Sequence, residues 1–256
     1  YTLYIKHLFY NFGVTLLVKN SRTISENRQL NKKQKMLNKI TGEQIAKNPF
    51  VYMDRQLVTT ALTRIKLFEK ILEVQGSIVE CGVFQANSLF IYAHLSSILE
   101  PYNFNRKIIG FDTFEGFRSI SDKDPKGINE KDFANTNLDH LKTWAKIFDE
   151  NRAVSHIPKI ELIKGNAINT IPKYVHDNPH LIISLLYLDF DIYEPTSVAL
   201  KNFLPLVPKG GIIGFDELNS KKWKGETIAL KENIVLENIK LKRFYFDPWV
   251  SFYEVE

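Results

Sequence analysis

Apolar residues recur along this chain at two kinds of spacing. Between residues 53 and 74 (MDRQLVTTALTRIKLFEKILEV), Leu57, Ala61, Leu62, Ile65, Phe68, Ile71 and Leu72 follow the interval of a helix with one apolar face. After Gln75-Gly76 the pattern changes to short unbroken runs. These are Ser77–Cys81 (SIVEC), Lys107–Phe111 (KIIGF), Ile160–Lys164 (IELIK), Leu181–Asp191 (LIISLLYLDFD) and Gly210–Phe215 (GGIIGF). Runs of this length suit parallel strands covered on both faces. Helices are expected between them: Ser88 to Leu99, Asn137 to Phe148, a short one after Gly165-Asn166-Ala167, Pro195 to Leu206, and Trp223 to Leu236. Lys242–Tyr245 and Val250–Val255, on either side of Asp247-Pro248, predict an antiparallel pair at the edge. The fold expected is α/β: a doubly wound, mostly parallel, seven-stranded sheet with an antiparallel edge strand. Residues 1–48 read as an N-terminal helical extension and 49–256 as the main domain. The long polar stretch 113–153 reads as a lid inserted over the strand ends.

In open α/β sheets ligands sit outside the carboxyl ends of the strands. The central run ends in Asp189 and Asp191, and the fifth in Asp216 and Glu217. Two neighbouring strands tipped with acids form an all-oxygen set suited to a small hard cation. In extended structure Asp189 and Asp191 would project to one side. The bland alternative, helix caps or ion-pair partners, explains any one of these acids better than all four. The turn after the first strand has one glycine, Gly82, and no G-x-G-x-x-G, which disfavours a dinucleotide site. Glu80 points to a ligand carrying a positive group such as an ammonium. Asp112, at the tip of the second strand, suits a pair of ribose hydroxyls; a helix cap is the alternative. The Gly165-Asn166 turn would offer backbone and amide groups to an adenine edge. Asp122, Asp124 and Asp132, within the insertion, are expected to be solvated.

Composition narrows the field. A net charge of +5 in 256 residues is mildly basic, and much of the excess lies in 27–39, expected to be a solvated helix face and not a nucleic-acid site. Cys81 is the only cysteine, so disulfide frameworks and cysteine zinc sites are excluded, and a reducing cytoplasm is expected. The apolar stretch Leu8–Val18 is too short to span a bilayer; a docking helix or homodimer contact is expected there. The histidines show no metal-ligand spacing. His140 and Trp144, one turn apart, could meet an acceptor.

Taken together, VECGVF (79–84), GFDTFEGF (110–117), LIKGNAINTIP (162–172), LYLDFDIYEPT (186–196) and PKGGIIGFDE (208–217) resemble the macrocin O-methyltransferase group of metal-dependent sugar O-methyltransferases. That resemblance implies the Rossmann-like class I fold, S-adenosyl-L-methionine as methyl donor, Mg2+, and a sugar, nucleotide-sugar or glycoside acceptor. Residue by residue, it implies that Glu80, Gly82 and Ser88 hold the methionine end. It assigns Asp112 to the ribose, Asn166 and Ala167 to the adenine, and Met53 to an approach from the preceding helix. Asp189, Asp216 and Glu217 would ligate the metal, with Asp191 as general base. The chain departs from the family at Ala86-Asn87, where glycines are usual, and at Asp216-Glu217-Leu218, where Asp-Asp-Tyr is common. The alternatives are a metal-independent methyltransferase, a nucleotide-using enzyme of related fold, and a binding protein that keeps the fold without turnover.

Overall fold

The computed structural model describes residue 33 and residues 35–256. The Leu8–Val18 stretch and most of the basic 27–39 run lie outside the described residues. The chain divides into two compact units at the Val58–Thr59 junction. The first contains α1 (Gly42–Lys47) and α2 (Pro49–Tyr52). Thr41 starts α1 with a reciprocal capping box: its hydroxyl accepts the Gln44 N–H, and the Gln44 side chain accepts the Thr41 N–H. The helix expected from residue 53 onward instead starts at Arg55, because Met53 caps α2 in an extended conformation.

The second unit carries a seven-stranded sheet. Its elements are the remainder of α3 (Arg55–Lys70), β1 (Ser77–Cys81), α4 (Asn87–Leu99), β2 (Ile108–Asp112), α5 (Leu138–Glu150), β3 (Ile160–Lys164) and α6 (Ala167–Asp177). There follow β4 (Ile183–Leu188), α7 (Tyr193–Phe203), β5 (Ile212–Phe215), α8 (Lys224–Asn233), β6 (Lys242–Arg243) and β7 (Ser251–Glu254). The strand order is β3-β2-β1-β4-β5-β7-β6, parallel through β5 and antiparallel at β7 and β6. Succession reverses between β1 and β4, and the crevice outside their carboxyl ends is where such sheets bind ligands.

Alternation along the strands sorts side chains into two cores. Ile78, Leu185, Tyr187 and Ile212 pack under α3, α4 and α5 through Leu67, Phe68, Leu89, Tyr92 and Leu141. Val79, Cys81, Leu186, Leu188, Ile213 and Phe215 pack under α6, α7 and α8 through Ile171, Leu200, Phe203 and Leu230. Each fully buried Leu, Ile or Phe side chain contributes about 1.5–3 kcal/mol, so both layers are tightly held and the rim is left for chemistry. Among the described residues no helix is long and apolar enough to cross a membrane.

Candidate active site

The strands end before the acids begin. Leu188 is the last residue of β4 and Phe215 the last of β5, so Asp189, Asp191, Asp216 and Glu217 all stand in the turns beyond the sheet. The expectation that Asp189 and Asp191 share a face of an extended strand is corrected here. Asp191 adopts φ +63°, a left-handed turn that redirects its carboxylate. Asp191 and Glu217 are hydrogen-bonded through their carboxyl groups. Asp216 accepts the Tyr187 hydroxyl at 2.6 Å and lies 3.6 Å from Arg64. The structure thus brings both pairs of acids to one rim.

Two residues that the sequence reading passed over complete this rim. Arg64, on α3, is buried; its guanidinium sits 3.8 Å over the Tyr187 ring and its Nε donates to Ser88 Oγ at 3.0 Å. Gly214 makes room for that ring, since a Cβ there would stand 2.7 Å from Tyr187. Glu226, on α8, is wholly buried and accepts the Glu217 N–H at 2.9 Å, leaving its Oε1 without a partner. Both occupy the apolar stripe of their helix: Arg64 lies three and four residues before Leu67 and Phe68, Glu226 three and four before Ala229 and Leu230. A charged residue at such a position is the signal that could have found them.

Glu80 lies in β1 between Gly110 and Tyr187. It is buried, supported by Ser88 and attracted by Arg64, yet its Oε2 has no partner. The Nδ2 of Asn87, at the start of α4, is likewise buried and unpaired. An orphaned acceptor and an orphaned donor flank one turn. Gly82 takes φ +95°, and a Cβ there would fall 1.9 Å from the Asp189 carbonyl oxygen. Only glycine lets the first turn lie against the acidic one.

Asp112 organises backbone. Its Oδ2 accepts the N–H groups of Val83 and Phe84, both at 2.8 Å, and its Oδ1 that of Phe114 at 2.6 Å. Neither a simple cap nor a free carboxylate, it draws the turns after β1 and β2 together, with lone pairs to spare. Asn166 caps α6 by accepting the Ile168 N–H, and its amide donates to Ser119 at 3.0 Å; Ala167 beside it is buried. Met53 belongs to the first unit. His140 and Trp144 are exposed on α5 and bond to each other, indole Nε1 to imidazole Nε2, at 2.7 Å.

The electrostatics are those of crowded anions. Burial, then repulsion from Asp216 and Asp191, holds Asp189 well above the ordinary carboxylate range. Burial pushes Asp191 up to about 6 against the pull of its Glu217 hydrogen bond, and Glu217 is pushed far higher by burial and by Asp191. Glu226 is raised by burial. Glu80 is pushed up to about 8, chiefly by burial, with Arg64 opposing. Burial works against the Arg64 charge, but the surrounding tyrosines, Asp216 and Glu80 outweigh it and hold it cationic. One buried cation serves three acids, Glu80, Asp189 and Asp216.

The macrocin O-methyltransferase family model matches residues 22–247. The chain belongs to the macrocin O-methyltransferase family. It is similar to the crystal structure of CalS11, a calicheamicin methyltransferase, at 31% identity and a TM-score of 0.86, over 91% of this chain and 93% of that one. It matches the apo structure of CalS11, there described as a TDP-rhamnose 3'-O-methyltransferase, at 29% identity and TM-score 0.79, over 91% and 95%. The O-methyltransferase NovP shares the fold at 16% identity, TM-score 0.57, over 78% and 79%. No curated protein matches the chain. The fold and the enzyme class expected from the sequence are therefore correct: a class I fold and a methyltransferase.

Within this macrocin-type methyltransferase, the departure at Ala86 has a structural cost. Ala86 takes φ +64° at the head of α4, a conformation that glycine adopts freely and alanine does not. A second correction concerns the insertion. Asp122 is exposed as expected, but Asp124 is buried and fully hydrogen-bonded.

The acids at this rim are a donor set of the kind a divalent ion takes. Its chemistry fits: the groups are all carboxylates, and Glu217 Oε2 is buried without a partner. The arrangement does not yet converge, and among the described residues no three acids, histidines or cysteines are placed to hold a metal. Asp191 and Glu217 would have to part for Glu217 to serve as a ligand.

Proposed function

We propose that this enzyme moves the methyl group of S-adenosyl-L-methionine to a hydroxyl of a sugar, either on a nucleotide or in a glycoside. The observation that carries the reading is the meeting of two half-sites at the β1/β4 crevice. On one side lie Glu80, Asn87 and Asp112; on the other, Asp189, Asp191, Asp216 and Glu217. The sugar comes from the likeness to CalS11, whose described substrate is TDP-rhamnose.

The residues divide the work. The unpaired Glu80 oxygen suits the donor's ammonium and Asn87 Nδ2 its carboxylate, while Gly82 and Ser88 shape the turn between them. Asp112 presents its remaining lone pairs to the ribose, and Asn166 and Ala167 border the adenine. Holding donor and acceptor in line supplies on the order of 7–11 kcal/mol without covalent help from the protein. Asp191, half-buried at the rim, takes the hydroxyl proton, worth about 10²–10⁴-fold for a placed base. Asp189, Asp216 and Glu217 would hold Mg2+. When bound, such an ion supplies positive charge that lowers the pKa of a hydroxyl beside it.

A second reading, transfer without metal, is favoured by the Asp191–Glu217 bond and by the absence, among the described residues, of a converged acid cluster. One assay separates the two. Purified protein with methyl-labelled donor and a panel of nucleotide sugars and glycosides should yield labelled product, lose turnover in excess chelator, and regain it with magnesium. Full turnover in chelator selects the metal-free reading. Label that reaches no acceptor while the donor still binds selects a binding protein.

A further inference from the structure

Asp124 is one of the points at which the segment after β2 meets the rim. This carboxylate is 3% exposed and all its bonds are internal. Its Oδ2 accepts the Ser121 N–H at 2.7 Å and the Ser121 hydroxyl at 2.9 Å, closing its own loop. Its Oδ1 accepts the N–H of Tyr193 at 2.7 Å, across 69 positions of sequence. Tyr193 is the first residue of α7, and its N-cap, Ile192, has no side chain able to bond a free N–H. Asp124 therefore caps α7 from another part of the chain, an anion at the positive end of the helix dipole.

The cap sits two residues beyond Asp191, whose left-handed φ costs energy and persists only where its surroundings enforce it. Gly225 closes the junction from α8: a Cβ there would lie 2.5 Å from Asp124 Oδ1 and 2.7 Å from the Tyr193 nitrogen. Lys123, next to Asp124, adds an outer clasp. Its Nζ lies 2.8 Å from Glu232 and 3.7 Å over the Tyr193 ring.

We infer that Asp124 is a positioning residue: by capping α7 in trans it holds the Asp189–Tyr193 turn in the shape that aims Asp191, and so ties the segment after β2 to the proposed base. This rests on the role given to Asp191 above. When that segment is seated the turn is fixed; when it lifts, the Tyr193 N–H is released and the turn is free to relax.

The test compares Asp124→Ala, Asp124→Asn and Gly225→Ala with the wild-type enzyme. Asp124→Ala should lower kcat by about tenfold to a hundredfold, the scale of a misplaced reacting group. Affinity for S-adenosylhomocysteine by calorimetry should stay within about twofold, because Glu80, Asn87 and Asp112 are untouched. Asp124→Asn keeps an acceptor at Oδ1 and should recover most of the rate. Gly225→Ala pries the same bond apart without touching the acid, and should reproduce the split if Asp124→Ala folds poorly. Crystal structures of the variants give a readout that is independent of turnover. Asp191 out of the left-handed region, with its Glu217 bond broken, supports the inference. Asp191 unmoved in both Asp124→Ala and Gly225→Ala overturns it, as does a loss of rate matched by the loss of folded protein. A wild-type enzyme that transfers no methyl group would overturn the proposed function instead, and the crystal structures would still decide the role of Asp124.

Discussion

The two rims of the sheet each centre on a buried arginine, and they treat it in opposite ways. At the amino ends of the strands, Arg106 donates to the carbonyls of Gly76, Ile71 and Val74 and to the Ser184 hydroxyl. Its Nε is ion-paired with Glu100 at 2.7 Å. The four other contacts of its fork go to three carbonyls and a hydroxyl, although Nε makes no hydrogen bond beyond that ion pair and Gly76, one of the targets, takes φ +136°. At the carboxyl ends, Arg64 faces Glu80, Asp216 and two tyrosines, with further acids behind. There, buried oxygens of Glu80, Glu217 and Glu226 go without partners, and Phe84, Ala86, Phe114 and Asp191 all take left-handed φ. One rim spends its polar groups on holding the fold. The other leaves buried charge unpaired and backbone strained.

The sharpest way to break this contrast is at the base. Asp191→Asn should cut methyl transfer by about 10²–10⁴-fold while leaving S-adenosylhomocysteine affinity nearly unchanged. Unaltered turnover would remove Asp191 from the mechanism. At the opposite rim, Arg106→Met should cost about 3–5 kcal/mol of stability by taking the buried cation from Glu100 and the guanidinium donors from the Ile71, Val74 and Gly76 carbonyls, read from urea or thermal unfolding. Its effect on donor affinity in the folded fraction should be negligible. If Arg106→Met melts like the wild type, the idea of a structural rim fails.

Glu80 sharpens the comparison through pH. Its folded pKa of about 8 lies above the ordinary 4.5, so the folded state binds a proton that the unfolded state releases between these values. Its contribution to stability is complete below about pH 4.5 and is lost as pH rises through 8, a change on the order of a few kcal/mol. Without ligands, the wild-type melting temperature should fall from pH 5 to pH 8, and that of Glu80→Gln should fall less. Equal slopes would place the burden on the other acids. The smallest effect is expected at Ala86. Replacing it with glycine removes the left-handed strain and should raise stability by about 0.5–1 kcal/mol, seen as a higher urea midpoint at unchanged slope.

The strands were legible because short apolar runs bounded by glycine and charge have one good reading. Ser77–Cys81 and Ile160–Lys164 fall where the pattern puts them. The four acids were legible because each follows such a run directly. What escaped is what three-dimensional neighbours decide. Arg64 and Glu226 sit on helices read for their apolar periodicity, and a charge inside the stripe was passed over. Asp124 resembled any acid in a polar loop, since its partner lies far along the chain. Asp191 was taken as extended because nothing in DFD announces a left-handed turn. Asp112 was matched to a ribose from its place at the tip of the second strand; the amides of two turns that it also accepts could not be read there, because they belong to residues brought together only by folding.

The missing side chain at Gly82 has an architectural consequence. Because the first turn rests directly on the Asp189 carbonyl, the pocket proposed for the donor and the acidic turn share a wall one backbone thick. Neither could shift by the width of a methyl group without carrying the other along, so any change that retunes acceptor choice in this enzyme has to come from outside that wall.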